Sequence, residues 1–536
     1  MNSKWPILRL GLICAGLLAA NGLLQFLVDN DLGIGWPHNV IRNWEEHGWT
    51  DLKGRLVTNP GGHDVLKNPE VYAGHRAASL YPAFLAGRVF AWTGSHALPF
   101  HLLSTLIVLI SIWYLLGHSP LALAVAGLAI LSPGYIIWPT ILDPNTNSVL
   151  AGLPFGAILW AKLRRPDLTS GGIVFVLALT LVFSWLNWTT ALVHAQIFVG
   201  LWAVRKLSWR MLLFYALSAG LAAIVIVAAG VASKLSNAPR EPGLFLKLLA
   251  GYTWGQGGYG VSGSTSVLLT RVAFINALAL FPFWTVWAWL WTRFAWVHRG
   301  QAMRALAPLA VAACEVVTLR NYFCHHPWMA APVFLLGAVL SLLVVCSIEQ
   351  TPVERPAKAL SRPQAAALKL ARPAAWAGAF LFSLAVLVTY RTHQTRLLAL
   401  ISMVRGCTAR SDVIAFPAGL EASSGEVEKR WPELLDRQVL RLDQLPDARQ
   451  PAPAAYLVSD APLGVGWTLV GSTGNSGKNS PLVDPLLEWF MKRIARRRTG
   501  DRMELAESYY LYRLPAGRQA AALPSNEAPS SPAPRP

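Results

Sequence analysis

The chain has 536 residues, of which 54% are hydrophobic and only 14% are Asp, Glu, Lys or Arg. Soluble domains carry about 25% charged residues, so this composition argues against a soluble enzyme. It also excludes a disordered chain, which would combine low hydrophobicity with high charge. The net charge of +18 would suit nucleic-acid binding, but the basic residues lie in many short loops and form no single patch. We therefore expect no nucleic-acid partner.

Apolar segments predict an α-helical polytopic membrane protein, because a spanning helix needs about 20 apolar residues. The first segment, 10–28, follows Lys4 and Arg9 and is interpreted as an uncleaved helix, because many spans follow it. Ten further spans are predicted at 97–116, 120–138, 145–162, 171–187, 188–204, 211–232, 271–292, 305–320, 328–347 and 374–392. Residues 79–93 predict a short amphipathic segment, and the total is about eleven spans.

Loop charges orient these spans, because short loops rich in Lys and Arg stay in the cytoplasm. With a cytoplasmic N-terminus, every short basic loop falls on the cytoplasmic side, from Lys162–Arg165 to Arg355–Arg372. The first loop, 28–96, and the chain beyond residue 392 then lie outside. The sequence predicts a multi-pass protein of the bacterial inner membrane with a periplasmic C-terminal domain.

The C-terminal part differs in kind from the membrane domain, which we place at residues 1–392. Short apolar runs at 412–417, 454–458 and 508–514 are typical of strands, and 485–498 is typical of an amphipathic helix. We predict a small external α/β domain at 393–518. Residues 519–536 are rich in Ala, Pro and Ser and predict a disordered tail.

Unusual polar residues gather on the predicted external side. Two carboxylates of the first loop lie two residues apart, and such crowding raises the pKa of one of them and favours a general base. Arginine and histidine suit a phosphate group, and an ionisable residue inside a span indicates function. These candidates are Asp29, Asp31, Asp143, Arg271, Glu315, Arg320, Tyr322, His325 and His326.

Structural explanations exist for the same residues. Acids often flank a span, Asp143-Pro144 suits a turn, and the two histidines suit a helix start before Pro327. Glu315 suits an ion pair with Arg271 or Arg320. The segment Gly471–Lys478 resembles a P-loop, but its glycine spacing is one residue too long and Asn479 stands where Ser or Thr is needed. We expect no nucleotide.

The order of these features resembles the GT-C superfamily of integral membrane glycosyltransferases, which includes the protein O-mannosyltransferases and the lipid A aminoarabinose transferases. Asp29-Asn30-Asp31 resembles the acidic motif of that family's first external loop, and Trp36–Gly48 resembles the amphipathic helix after it. His75-Arg76 opens a segment similar to the one that leads into the second membrane element. Asp143 resembles the second external acid, and Asn321–Pro327 resembles a late segment with an aromatic residue and a proline.

Three departures accompany this resemblance. Asn30 splits the usual pair of acids, so the motif alone does not choose between Asp29 and Asp31 as the base. Asn187–Thr190 lacks the lysine of the family's Thr-Lys motif, and the Gly- and Trp-rich loop 233–270 does not align.

The resemblance implies a reaction. The donor is a sugar on polyprenyl phosphate, and the acceptor is a glycan, lipid or protein outside the cytoplasm. Asp31 or Asp29 takes the acceptor proton, and the anomeric carbon is inverted. Arg271, Arg320 and His326 hold the departing lipid phosphate, and Asp143 orients the acceptor or helps to bind a divalent metal. The sequence leaves the sugar, the acceptor and the need for a metal open.

Two other functions fit part of the pattern. A transporter or flippase for a lipid-linked saccharide also carries charges in its spans, but usually at the bilayer midplane between repeated halves. We find no repeat, and the charges gather on one side. A non-catalytic assembly protein of the cell envelope would instead depend on its external domain.

Overall fold

A computed structural model describes residues 4–28, 36–62, 65–67, 69–70, 79–93, 97–117, 119–140, 144–163, 170–184, 190–204, 208–235, 265–318, 330–349, 362–417, 435–442, 454–464, 467–473 and 508–514. The chain divides into two compact units. The first comprises residues 1–58 and 65–391, and the second comprises residues 59–64 and 392–536.

The first unit is helical. Its helices are α1 (Lys4–Val28), α2 (Trp36–His47), α3 (Tyr81–Val89), α4 (Ala97–Leu115), α5 (Pro120–Ile130), α6 (Pro133–Thr140), α7 (Pro144–Leu163), α8 (Ser170–Ser184), α9 (Thr190–Ala203), α10 (Trp209–Leu235), α11 (Thr265–Ala279), α12 (Phe281–Val297), α13 (Ala302–Thr318) and α14 (Ala330–Glu349). A long helix, α15 (Arg362–Cys407), runs from this unit into the second. Each segment predicted to span the membrane is helical over most of its length.

Two of the predicted spans are broken. The segment 120–138 divides into α5 and α6 around Leu131 and Ser132, directly before Pro133. The segment 271–292 was expected to be one span, but α11 and α12 meet at Leu280 at an angle of 91°. A proline lies in the first turn of both α6 and α12, where its missing N–H costs no helical hydrogen bond.

Length and apolar character identify the membrane helices. Among the described residues, α4, α14 and the helical segment 299–318 are long and apolar enough to cross a membrane, and the bent pair α11–α12 is a fourth if it counts as one span. Shorter apolar helices surround them, including parts of α1, α7, α8 and α9. The described residues therefore contain three or four helices fit to cross a membrane, and the predicted total of about eleven spans stays a prediction.

Contacts between the helices show which of their ends lie together. Rings of His101 on α4 and Tyr135 on α6 are 5.7 Å apart, and a Cβ at Gly22 on α1 would lie 3.3 Å from Leu102 on α4. A Cβ at Gly152 on α7 would lie 2.5 Å from Val193 on α9. Each residue is within about two turns of the end of α1 or of the start of α4, α7 or α9, and α6 has only eight residues, so Tyr135 lies within two turns of both of its ends. The end of α1 and the whole of α6 therefore lie with the start of α4, and the starts of α7 and α9 lie together.

The same argument joins the later helices to this end of the bundle. Because α6 is followed by α7 after a gap of only three residues, 141–143, the two helices meet at one end. Gln196 in the second turn of α9 donates a hydrogen bond to Glu315 in the last turn of α13. Gly337 near the start of α14 packs against Ala312 of α13. We call the end shared by all these helices the upper end.

The first loop adds a small folded layer to the first unit. Trp44 of α2 is buried, its Nε1 donates to the carbonyl of Arg55, and its ring lies 5.5 Å from Phe84 of α3. The Asn43 side chain donates to the carbonyl of Val57. These apolar side chains form one cluster with Phe100 of α4, so α2 and α3 pack beside the start of α4.

The second unit contains a five-stranded mixed sheet in the order β2-β1-β3-β5-β4. Its strands are β1 (Val413–Pro417), β2 (Gln438–Leu442), β3 (Tyr456–Ser459), β4 (Thr468–Ser472) and β5 (Tyr510–Arg513). Strand β1 is parallel to β2 and β3, and β5 is antiparallel to β3 and β4. Three of these strands fall in the three runs predicted to be strands, and β2 and β4 were not predicted. The predicted helix 485–498 and the tail 519–536 lie outside the described residues.

Helix α15 ends against this sheet. A Cβ at Gly471 of β4 would lie 3.2 Å from Met403 and 3.3 Å from the sulfur of Cys407. The buried guanidinium of Arg437 donates to the carbonyls of Thr408 and Arg405 at 2.9 and 3.4 Å. A cation that bonds the last carbonyls of a helix both satisfies them and balances the helix dipole.

Candidate functional site

Most residues that the sequence predicted for the site lie outside the described residues. These are Asp29, Asp31, His75, Arg76, Asp143, Arg320, Tyr322, His325 and His326. Arg271 lies in helix α11, where only its backbone is described. Glu315 is the predicted site residue whose side-chain contacts the structure gives.

The described helix ends beside these residues belong to the upper end. Asp29 directly follows α1, which ends at Val28, and Asp143 stands between α6 and α7. Arg320 and His326 stand between the end of α13 and the start of α14. Five helix ends that flank predicted site residues therefore lie at one end of the bundle, as a shared site requires.

Glu315 is a carboxyl group buried among helices. It is 4% exposed, and its Oε2 accepts a hydrogen bond of 2.9 Å from Nε2 of Gln196. Gly337 of α14 makes room for this pair, because a Cβ there would lie 3.4 Å from Oε1 of Gln196 and 3.1 Å from the carbonyl of Pro308. The described partner of Glu315 is thus a neutral amide. An ionisable group at this depth is a functional candidate.

A buried histidine joins α8 to α9. Nε2 of His194 lies 2.9 Å from Oγ of Ser184, the last residue of α8. The ring stacks on Phe198 and meets the rings of Phe155 and Phe183 edge-on, at centroid distances of 5.6, 4.9 and 5.0 Å. His194 fixes the geometry of the two helices beside the gap 185–189. Sequence reasoning missed it, because a single histidine in an apolar segment carries no motif.

A second buried histidine lies at the upper end of α4. His101 is fully buried, and in the described part of the chain neither ring nitrogen has a hydrogen-bond partner. The hydroxyl of the adjacent Tyr135 lies 3.3 Å from Oγ1 of Thr105. A buried polar group without a partner costs about 1–3 kcal/mol. The only local signal in the sequence was its position at the start of a span.

No group of three or more His, Cys, Asp and Glu side chains suited to a metal ion occurs among the described residues. The acids to which the sequence assigned this role, above all Asp143, lie outside that part of the chain. The described side chains therefore supply no metal centre of their own.

An apolar groove of about 700 Å³ follows helix α1. One wall is the face of α1 from Ile13 to Leu23, with the small residues Gly16, Ala19 and Ala20, and the other is α15 from Trp376 to Leu381. Nε1 of Trp376 donates to the carbonyl of Ala124, which fixes that ring. The groove has the polarity of a lipid chain and leads along α1 toward its upper end.

No family model matches the chain, and no curated protein matches it.

Solved structures do match. ArnT from Cupriavidus metallidurans bound to undecaprenyl phosphate superposes with a TM-score of 0.50 and 15% identity, covering 83% of this chain and 87% of that one. The apo state of the same protein gives 0.49 and 15%, over 81% and 86%. The archaeal oligosaccharyltransferase AglB from Archaeoglobus fulgidus, in complex with an inhibitory peptide and a dolichol-phosphate, gives 0.41 and 12%, over 83% and 69%.

The likeness to the undecaprenyl-phosphate complex bears on the fold, because its TM-score reaches 0.50 over most of both chains. This likeness of fold agrees with the fold that the motif resemblance predicts. At 15% identity the likeness concerns the fold and not the substrate.

Proposed function

Since the chain has the fold of the GT-C superfamily, we propose that it is a membrane glycosyltransferase. It transfers a sugar from a polyprenyl-phosphate donor to a glycan, lipid or protein acceptor on the external side of the bacterial inner membrane. The observation that carries this proposal is the likeness of fold over 83% of the chain to a protein that was solved with undecaprenyl phosphate.

The arrangement of helix ends supports the proposal. The described ends that flank Asp29, Asp143 and Arg320 lie together at the upper end, although these residues are far apart in the sequence. A transfer site needs carboxylates for the acceptor and cations for the lipid phosphate. The first two of these segments supply acids, and the third supplies cations. A flippase would need charges near the midplane of the bilayer, whereas these residues flank helix ends.

In the proposed reaction a carboxylate of the first loop, Asp31 or Asp29, removes the proton from the acceptor hydroxyl. The acceptor oxygen attacks the anomeric carbon from the face opposite to the lipid phosphate, so the C–O bond to the phosphate breaks as the new one forms. Inversion follows from this single displacement. Asp143 orients the acceptor or helps to hold a divalent metal.

The leaving group is polyprenyl phosphate, whose negative charge needs neutralisation. Arg271, Arg320 and His326 supply positive charge or hydrogen-bond donors for it, since Arg binds phosphate oxygens through two parallel bonds. His325, Tyr322, His75 and Arg76 complete the set of polar residues assigned to donor and acceptor. The prenyl chain lies in the apolar groove along α1, and no nucleotide takes part.

A transfer assay tests the proposal. The purified protein in detergent is given a panel of radiolabelled polyprenyl-phosphate sugars, and release of water-soluble or acceptor-bound label is followed. Wild-type protein is expected to release label from one donor. Asp31→Asn or Asp29→Asn is expected to lower the rate by about 100-fold or more, because a general base contributes roughly 10²–10⁴-fold.

The matched control is Asp51→Asn. Asp51 is an exposed acid of the same loop with no assigned role, so this variant should retain the wild-type rate. Full transfer by both Asp29→Asn and Asp31→Asn would refute the assigned base. Binding of a donor without its cleavage would favour the flippase, and no binding of any donor would favour the assembly protein.

A further inference from the structure

A short turn of the first loop belongs to the second compact unit. Residues 59–64 group with residues 392–536, whereas the loop on either side of them belongs to the first unit. The turn is Pro60-Gly61-Gly62, and both glycines have positive φ, 68° and 70°. Only glycine adopts this conformation at no steric cost. The backbone of the turn therefore favours glycine at positions 61 and 62.

The turn is bound by one buried carboxylate. Asp436 is fully buried, and its Oδ1 accepts a hydrogen bond of 3.1 Å from the backbone N–H of Gly61. The same carboxylate forms a bidentate pair with Arg410, through Nε at 2.8 Å and Nη2 at 3.2 Å. Arg410 therefore balances the charge of the Asp436 carboxylate and fixes its orientation toward Gly61.

The backbone conformation of Asp436 is uncommon. Its φ is +52°, a region in which a residue other than glycine is uncommon. The next residue, Arg437, is buried and donates to the carbonyls at the end of α15. The backbone that presents Asp436 to Gly61 is therefore anchored on both sides, by Arg410 and by Arg437.

A backbone hydrogen bond also joins the two segments that flank the turn. The backbone N–H of Thr58 donates to the carbonyl of Glu70 at 2.8 Å, so the loop leaves and re-enters the first unit at one point. Asn43 and Trp44 of α2 bind the arm that precedes the turn. Hydrogen bonds therefore hold both the turn and the residues that precede it.

We infer that Asp436 is a positioning residue for the turn Pro60–Gly62 of the first loop, and that transfer requires the conformation in which the Asp436 carboxylate binds Gly61. This inference rests on the proposed function. It assigns Asp436 the task of holding a turn in the middle of the loop that follows the proposed base.

Hydrogen exchange on the full-length protein tests the contact directly. The amide of Gly61 should be protected in the wild type, and Asp436→Ala should raise the exchange rate of the peptide that contains residues 59–62 by about tenfold or more. The α2 peptide, residues 36–47, should keep its protection. The matched control is Arg513→Gln, a change in the same unit on strand β5 that does not touch the turn. Unchanged protection in Asp436→Ala would overturn the inference.

A second variant avoids leaving Arg410 without its partner. Gly61→Ala keeps the Asp436–Arg410 pair but opposes the φ of +68° at this position, at a cost of roughly 1–2 kcal/mol. It should also raise exchange in the turn, while peptides of the sheet keep wild-type protection. If Asp436→Ala loses protection over the whole protein, Gly61→Ala still shows whether release of the turn alone raises exchange there.

Transfer kinetics then test the positioning role. Gly61→Ala and Asp436→Ala should lower kcat on the order of 10- to 100-fold, the effect expected of misplaced catalytic groups, while the Kd for polyprenyl phosphate stays unchanged. A released turn with wild-type kcat would overturn the positioning role. A protected turn in a wild-type protein that transfers no sugar would refute the proposed function and leave the contact intact.

Discussion

At the residue scale, buried polar groups distinguish the upper end of the helices. Glu315 and Gln196 form one pair there, and Ser184 and His194 form another. Sequence reasoning found Glu315, because an ionisable residue inside an apolar segment is rare and costly. It missed Gln196, since a neutral amide in the same surroundings costs less and has many harmless explanations.

The Gln196–Glu315 hydrogen bond makes a stability prediction. Gln196→Leu should destabilise the detergent-purified protein by about 1–3 kcal/mol, because it leaves a buried carboxyl without its donor. Adding Glu315→Leu should restore much of the loss, because replacing both partners of a hydrogen bond by apolar groups is nearly neutral. Thermal unfolding measures both. Cys314→Ala, at an exposed neighbour of Glu315, is the control, and a Gln196→Leu variant as stable as that control would contradict the pairing.

At the element scale, the apolar segments predicted where helices occur but not where they break. Pro133 and Pro282 lie in the first turns of α6 and α12, directly after a break. Pro154 and Pro308 lie inside the continuous helices α7 and α13. Proline removes one backbone donor in every case. Whether the helix then breaks depends on the packing around it, which a single sequence does not contain.

Close helix packing predicts the effect of adding one methyl group. Gly152→Ala should lower the free energy of unfolding by about 1–3 kcal/mol, the usual cost of overpacking. Its Cβ would lie 2.5 Å from Cγ1 of Val193, whose β-branched side chain has one strongly preferred rotamer in a helix. Adding Val193→Ala should recover stability. The control is Gly220→Ala on α10, where a Cβ has nothing within 4 Å. Equal unfolding midpoints for the two alanine variants would disprove the close contact.

The groove along α1 makes a prediction about the donor. Gly16→Leu places a branched side chain in the groove that we assign to the prenyl chain. We expect the KM for a long-chain donor to rise about tenfold while kcat stays within about twofold, because the chain contributes binding and not chemistry. Gly11→Leu on the same helix is the control, since Gly11 does not line the groove. An unchanged KM in Gly16→Leu would remove the groove from the donor site.

At the scale of the whole molecule, the two compact units share the first loop. The sequence predicted the C-terminal sheet in part, because β1, β3 and β5 are mostly apolar and their central residues are buried. It missed β4, whose residues are partly or fully exposed, and β2, which is partly polar. It gave no sign that residues 59–64 join this unit, since a Pro-Gly-Gly turn is typical of any surface loop.

The predicted orientation can be tested by labelling single cysteines. In a variant with its five native cysteines replaced, Lys53→Cys should react with a membrane-impermeant maleimide in intact spheroplasts. Lys162→Cys should react only after permeabilisation. Both lysines are exposed, but the first belongs to the predicted external loop. The second lies in the last turn of α7, beside a basic loop that should stay cytoplasmic. Labelling of Lys162→Cys in intact spheroplasts would reverse the predicted topology.

The sequence by itself determined the class of the protein and the positions of its helices, because apolar content and turn residues act over a few neighbouring residues. The fold that its motifs predicted agrees with the likeness of this chain to ArnT. Only the tertiary structure decided which helix ends meet at the upper end. It also decided that Gln196 meets Glu315 across 119 residues and that Gly61 meets Asp436 across 375. Such contacts arise when the chain packs, so no local pattern in the sequence announces them.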